Sequence, residues 1–348
     1  MHVPDGFINA PTSAVTGVAA AGAIAVSLRG ARRELDERAA PLAGLVAAFI
    51  FAVQMLNFPV AAGTSGHLLG GALAAILVGP YTGVLCVSVV LLMQGILFAD
   101  GGLTALGVNI TDMAIVTTVV GYAVFRGLVK VLPRTRRSVT VASFAAALLS
   151  VPAAAVMFTF LYAIGGTTDI AIGKVATAMI GVHVLIGIGE AAITALTVGA
   201  VIAVRPDLVY GARGLQQRLK LRVNGELVDA PTTAVPVAAR ASRRKLWLTG
   251  LVTSLVLAGF VSFYASASPD GLEKVAHDQG IDKETGRHAS SDSPLAGYGV
   301  KDVGDARLSG GLAGVIGVGV TVVAGSGVFW AVRRRRSTDV SPTAVENV

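Results

Sequence analysis

The chain opens Met1-His2-Val3-Pro4-Asp5-Gly6 and places a second histidine, His67, after the glycine-rich stretch Gly63-Thr64-Ser65-Gly66. A free N-terminal amine, the amide nitrogen of residue 2 and a residue-2 imidazole can close two fused chelate rings around one cation. His67 would add a fourth nitrogen. A planar set of nitrogens suits Cu(II) or Ni(II) rather than Zn(II), Mg(II) or Ca(II). Zinc is disfavoured further because Cys86 is the single cysteine and no histidine pair stands at helical spacing. The bulk of His2 is expected to protect Met1 from trimming. The glycines before His67 would let backbone approach an ion closely, and the Asp5-Gly6 turn would send the chain away while residues 1 and 2 fold back. A lone histidine in either place is more often an exposed or hydrogen-bonding residue, so the pairing depends on the elements that carry the two.

Those elements are membrane helices. Of 348 residues, 53% are hydrophobic and 14% charged, against about 25% charged in a soluble domain. The net charge of +7 comes from short Lys and Arg clusters between apolar runs, which is how membrane orientation is written rather than a sign of nucleic-acid binding. The arginines Arg29, Arg32, Arg33 and Arg38 follow the first apolar run instead of preceding it, so a cleaved signal peptide is not expected. With roughly 20 residues needed per helical crossing, candidate spans fall near 8–28, 41–58, 67–80, 82–98, 104–128, 138–164 and 176–204. The third is short and glycine-rich, compatible with a half-helix that must be buried in protein. Two more follow near 246–265 and 309–331.

The predicted fold is an all-α polytopic bundle: a seven-span module over 1–204, a basic cytoplasmic linker over 205–245 and a two-span module over 246–336. The last contains an external loop at 266–308, and a cytoplasmic tail follows at 337–348. Residues 205–245 hold nine Lys or Arg against three acids, and residues 266–308 hold eight acids against five Lys or Arg. All basic clusters fall on one side when the third span counts as a crossing. The N-terminus and His67 then emerge together on the outer face, and the C-terminus lies inside. No repeat of 20–50 residues stands out, which argues against an inverted-repeat carrier.

Intramembrane ionisable residues are functional candidates. Asp112, His183 and Glu190 qualify, and His183 and Glu190 lie two helical turns apart on one face. They could orient the metal ligands from behind or simply lock helices together by hydrogen bonds. Gln94 and Asn109 read first as packing groups. His277 and His288 in the outer loop read first as solvated. The run Arg333 to Arg336 reads as the basic flank of the last span. No GxxxxGK[ST] loop occurs, so any ATP hydrolysis must reside in another chain.

Four ordered stretches, "MHVPDGF", "NFPVAAGTSGHLLGGALAAILVGPY", "LLMQGILFADGGLTALGVNITDMA" and "GVHVLIGIGEAAITAL", resemble the substrate-binding (S) component of cobalt and nickel energy-coupling-factor transporters, the CbiM/NikM family. The resemblance covers residues 1 to about 204. It implies that Met1 (amine), His2 (amide and imidazole) and His67 hold the metal. Around "SPDGLEKVAHDQG" the chain is similar to the small PDGLE-containing accessory subunit of such systems, here fused in one polypeptide. Asp112 stands where the resemblance leads us to expect Asn.

The implied protein is not an enzyme. It is a multi-pass subunit of the bacterial plasma membrane whose cargo is Ni(II) or Co(II), with no prosthetic group. Its expected partners are a transmembrane coupling (T) subunit and two ABC-type ATPase subunits. Two rivals remain open. One is an S component for a small organic micronutrient, which would want an aromatic-lined pocket, although the chain has two Trp. The other is an ion- or proton-coupled carrier built on Asp112, His183 and Glu190.

Overall fold

A computed structural model describes residues 1–35, 39–61, 63–215, 220–223, 226–229 and 243–338. The parts of the expected linker and tail at 216–219, 224–225, 230–242 and 339–348 lie outside the described residues.

The chain is a bundle of helices. In the first module these are α1 (Ala10–Glu34), α2 (Ala39–Gln54), α3 (Gly71–Val78), α4 (Pro80–Met93), α5 (Leu106–Asn109), α6 (Thr117–Val131), α7 (Arg136–Gly165) and α8 (Ile172–Val204). The second module supplies α9 (Arg243–Gly259), α10 (Gly271–Gln279) and α11 (Ala306–Thr338). A wider π turn, Gln94–Phe98, extends α4, and another, Ile110–Val116, joins α5 to α6 in one continuous rod. Two short antiparallel pairs, β1 (Phe58–Pro59) with β2 (Ser65–Gly66) and β3 (Lys220–Val223) with β4 (Glu226–Asp229), are the strands among the described residues.

Seven helices among the described residues are long and apolar enough to cross a membrane: Ala10–Glu34, Pro80–Phe98, Leu106–Val131, Arg136–Gly165 and Ile172–Val204 in the first module, Arg244–Tyr264 and Ala306–Arg334 in the second. Pro41–Gln54 is a shorter apolar helix. The stretch at 67–80, expected as a span, contains only the 8-residue α3, about 12 Å of helix. The reason is local. Gly70 and Gly79 adopt φ of 88° and 103°, conformations that end a right-handed helix on both sides. All of α3 is buried, which is where protein at membrane depth tolerates broken helix. The segment still runs from the Met1 end of the bundle to the opposite end, because Gly79 lies against the Glu34 carboxylate at the far end of α1.

Glu34 also fixes the next helix. Its carboxylate accepts hydrogen bonds from Tyr81 N at 3.2 Å, Thr82 N at 2.8 Å and Thr82 Oγ1 at 2.8 Å, satisfying the free amides of the first turn of α4 and complementing its dipole. Residues 205–215 fold back on the bundle in two 3₁₀ turns, burying Val209 and Ala212. The long helices α7 and α8 pack together, and α9 and α11 pack on each other and on α2, so α2 is the seam between the modules. The chain between α9 and α11, including α10, covers the Met1 end of the bundle.

Candidate metal centre

The N-terminal segment is pinned in extended form by side chains from the α4–α6 region. Asn109 grips residue 3 on both sides, Oδ1 accepting from Val3 N at 2.7 Å and Nδ2 donating to Val3 O at 3.1 Å, while Gly102 N donates to the same carbonyl at 2.8 Å. Asp5 Oδ1 accepts from Thr104 N at 2.8 Å and Thr104 Oγ1 at 2.5 Å. Phe7 and Ile8 are buried and Asn9 caps α1, accepting from Thr12 N at 3.0 Å. Anchored this way, Met1 is itself buried, 2% exposed.

The Met1 amine lies 2.6 Å from His67 Nε2 and 2.8 Å from Asp270 Oδ2. The rings of His2 and His67 stack with centroids 5.1 Å apart. A hydrogen bond fixes the tautomer of His67, and another orients the ring of His2. His67 Nδ1 lies 3.0 Å from Leu68 O, and a carbonyl can only accept, so the proton sits on Nδ1 and Nε2 keeps its lone pair toward Met1. His2 Nε2 lies 3.1 Å from the Gln94 side-chain amide, which holds the ring with Nδ1 on its chelating side. Second contacts of this kind orient metal-binding imidazoles. Adjacent corners of a square around a cation with bonds of about 2 Å lie about 2.8 Å apart, close to the Met1–His67 spacing.

Burial depresses the His2 imidazole to about 4, opposed by the Asp100 carboxylate, whose Oδ1 lies 3.4 Å from Nδ1, and helped by the Met1 amine. His2 is therefore neutral at pH 7, the state a ligand needs. At Asp270 burial works to raise the carboxyl, but the Met1 ammonium more than reverses it and holds the group well below the ordinary range. Tyr298, half-buried beside Asp100, donates to Asp100 Oδ2 at 2.5 Å, and desolvation followed by that carboxylate pushes its hydroxyl up.

Asp270 is the site residue that sequence reasoning missed, and the geometry around it accounts for the string Pro269-Asp270-Gly271-Leu272-Glu273. Pro269 O accepts from Ser65 N at 2.8 Å beside the His67 loop. Asp270 begins α10: its Oδ1 accepts from Glu273 N at 2.8 Å while Glu273 Oε2 accepts from Asp270 N at 2.9 Å, a reciprocal capping box. That leaves Oδ2 for Met1. Gly271 packs where a Cβ would stand 2.8 Å from Ile186 Cδ1 and 3.2 Å from His183 Cε1, and Leu272 is buried. D-x-x-E ahead of a helix is a capping signature, but nothing local in it marks the landing point of Oδ2 on Met1.

Asp112 is fully buried in the π turn, and both its oxygens lack hydrogen-bond partners. Glu190 clamps the backbone after His67, accepting from Leu69 N at 2.6 Å and Gly70 N at 3.1 Å. His183 packs beside Met1, His67 and Asp270. Gln94 and Asn109, read as packing groups, touch His2 and Val3 directly. His277 pairs with Asp282 at the surface, and His288 hydrogen-bonds Gly101 O at 3.1 Å. Among the described residues, His2, His67 and Asp270 form the cluster whose ligand atoms could share an ion, all within 4.8 Å of one another. A cavity of about 550 Å³ leads to it between the modules, lined by His2, His67, Asp270, Asp100, Glu273 and Arg307 among others.

Comparison with known proteins gives the geometry its relatives. Residues 2–208 match the CbiM family, described as a cobalt uptake substrate-specific transmembrane region, and residues 244–334 match the PDGLE domain. A Haloquadratum walsbyi chain named as a metal transport protein is 41% identical over 214 residues, 60% of this chain and 94% of its own length. An Archaeoglobus fulgidus chain named as a fused nickel transport protein is 42% identical over 214 residues, 60% of this chain and 68% of its own. A crystal structure of a truncated transition metal transporter superposes with a TM-score of 0.51 at 27% identity, covering 58% of this chain and 99% of that one.

Proposed function

The chain belongs to the CbiM family of cobalt uptake substrate-specific transmembrane proteins, fused to a PDGLE domain, and from that premise we propose that it captures Ni(II) or Co(II) for an ATP-driven importer. The observation that carries the proposal is the convergence of the Met1 amine and His67 Nε2 at 2.6 Å beside the His2 ring.

In this reading the ion enters through the vestibule from the outer face of the plasma membrane and exchanges water for the Met1 amine, the His2 amide and Nδ1, and His67 Nε2. A planar nitrogen set with a deprotonated amide favours nickel within this pair of cargoes. The amide anion and the Asp270 carboxylate together offset the two positive charges in a buried site, where an uncompensated charge would be strongly destabilising. Asp270 thus holds the ammonium while the site waits and faces the cation once the amine has given up its proton. Energy comes from outside the chain. A transmembrane coupling subunit and ABC-type ATPase subunits, implied by the family resemblance, would drive the change that frees the ion on the inner face.

The test is bound metal. Protein with its native N-terminus, loaded with equimolar Ni(II), Co(II), Cu(II) and Zn(II), is compared by elemental analysis with protein carrying one extra residue before Met1. Stoichiometric metal lost on extension supports the chelate. Metal retained at full affinity refutes it.

A further inference from the structure

Two spaces meet at the Met1–His67–Asp270 contact. In front lies the vestibule. Behind lies a narrow gap lined by Met1, His67, His183, Ile186, Asp270 and Gly271, with no room for a water molecule.

His183 is 1% exposed. Its Nδ1 lies 2.7 Å from Met179 O, one helical turn earlier, and because a carbonyl only accepts, the proton of the neutral ring sits on Nδ1. Nε2 therefore holds a bare lone pair, and it has no hydrogen-bond partner. Water cannot supply one in a gap this narrow. The neighbour on that side is Gly271, where any side chain would crowd His183 Cε1 at 3.2 Å. A packing histidine uses both nitrogens, and a buried acceptor left unmet is destabilising. A purely apolar residue would fill the same place without that penalty. An unsatisfied imidazole nitrogen next to a candidate metal centre is instead what a ligand awaiting an ion looks like.

We propose that His183 Nε2 is a rear ligand for the transported divalent cation, a second station onto which the ion passes when the front chelate opens. The proposal rests on the reading of Met1, His2 and His67 as the front site. The step is a ligand exchange: the metal bonds to the Met1 amine, the His2 amide and His2 Nδ1 break, the amide nitrogen takes back a proton from water in the front cavity, and a bond to His183 Nε2 forms. Once the amide is protonated, the Asp270 carboxylate is the anion left facing the ion. The His67 ring and Asp270 line both spaces and can stay with the ion throughout. Passage is from the roomy front cavity to a gap too narrow for water.

The experiment removes the front chelate and asks what remains. The full chain with one extra residue before Met1 and His2→Ala is titrated with Ni(II) by equilibrium dialysis, alone and with His183→Gln added, and nickel ligation is followed by X-ray absorption. A residual, weaker Ni(II) site with imidazole scattering is expected in the first protein and at least tenfold weakening in the second. Equal affinity in the two, or no residual binding up to millimolar nickel, overturns the rear station. Full-affinity binding with the extended, His2→Ala chain would instead sink the front-site reading. Should His183→Gln fail to fold, His183→Phe, similar in volume and without a ligand atom, serves in its place.

Discussion

The Met1 amine sits 2.8 Å from Asp270 Oδ2, an ion pair between residues 269 positions apart that ties the two modules at the mouth of the candidate metal centre. Both partners are buried, with side-chain exposures of 1% and 11%. Removing one partner of such a pair costs about 3–5 kcal/mol, because the other is left as an uncompensated charge.

Asp270→Ser separates the two tasks of this residue. Serine still caps α10 but leaves the Met1 amine without its anion. Nickel affinity is expected to fall by at least tenfold while the protease resistance of residues 266–308 stays near that of the unaltered protein. Loss of both together would assign Asp270 a capping role alone.

Glu190 fastens the turn that follows His67. Glu190→Gln replaces one acceptor oxygen by a donor that faces Leu69 N or Gly70 N, so the turn after His67 loosens. Nickel affinity should drop roughly tenfold, on the order of the 1–3 kcal/mol attached to an unmet buried donor, with the nickel absorption spectrum unchanged. A changed spectrum would make Glu190 a ligand instead.

The docking of the N-terminal segment should weaken in acid. His2 is held near 4 when docked and returns toward about 6.5 when free, so the free segment binds more protons between those values. Docking is therefore fully favoured above about pH 6.5 and loses about 3 kcal/mol by pH 4. The protection factor of the Val3 amide in the metal-free protein, its exchange rate divided into the intrinsic rate at each pH, should fall progressively as the pH drops across that window. A flat profile would show that burial of His2 does not set its protonation.

Asp112→Asn tests a buried carboxyl that finds no donor. Replacing it with a neutral isostere removes the burden of desolvating an ionisable group, and the melting temperature should rise by a few degrees. A fall would mean that Asp112 has a partner when the importer is assembled or loaded.

Much of the architecture could be read from hydropathy and the placement of Lys and Arg, because a bilayer imposes length and polarity on every crossing. Where the reading departed, glycine was the cause. Gly70 and Gly79 cut the stretch at 67–80 down to α3, and hydropathy is blind to backbone sign. At the site, Met1, His2 and His67 could be singled out because chelation by an N-terminal His is local chemistry and topology puts both segments at one end. Asp270 could not. Its cap is a four-residue pattern, but the direction of its second oxygen depends on how α10 settles against α8, and that is decided by packing around Gly271. The split roles of Gln94 and Asn109 were hidden for the same reason. An amide inside a span reads as helix glue until the strand it grips is seen.

The reach of α10 across the first module has a kinetic meaning. In this chain the residue that closes the Met1 contact is part of the same molecule as the residue it closes on, so engagement is a first-order event whose rate is independent of how much protein the membrane holds. Were the two halves separate polypeptides, the same contact would be a collision, rising and falling with the abundance of the partner. One polypeptide fixes the ratio at one lid for every site, and severing the chain between α8 and α9 would make closure dilutable without altering a single residue of the centre.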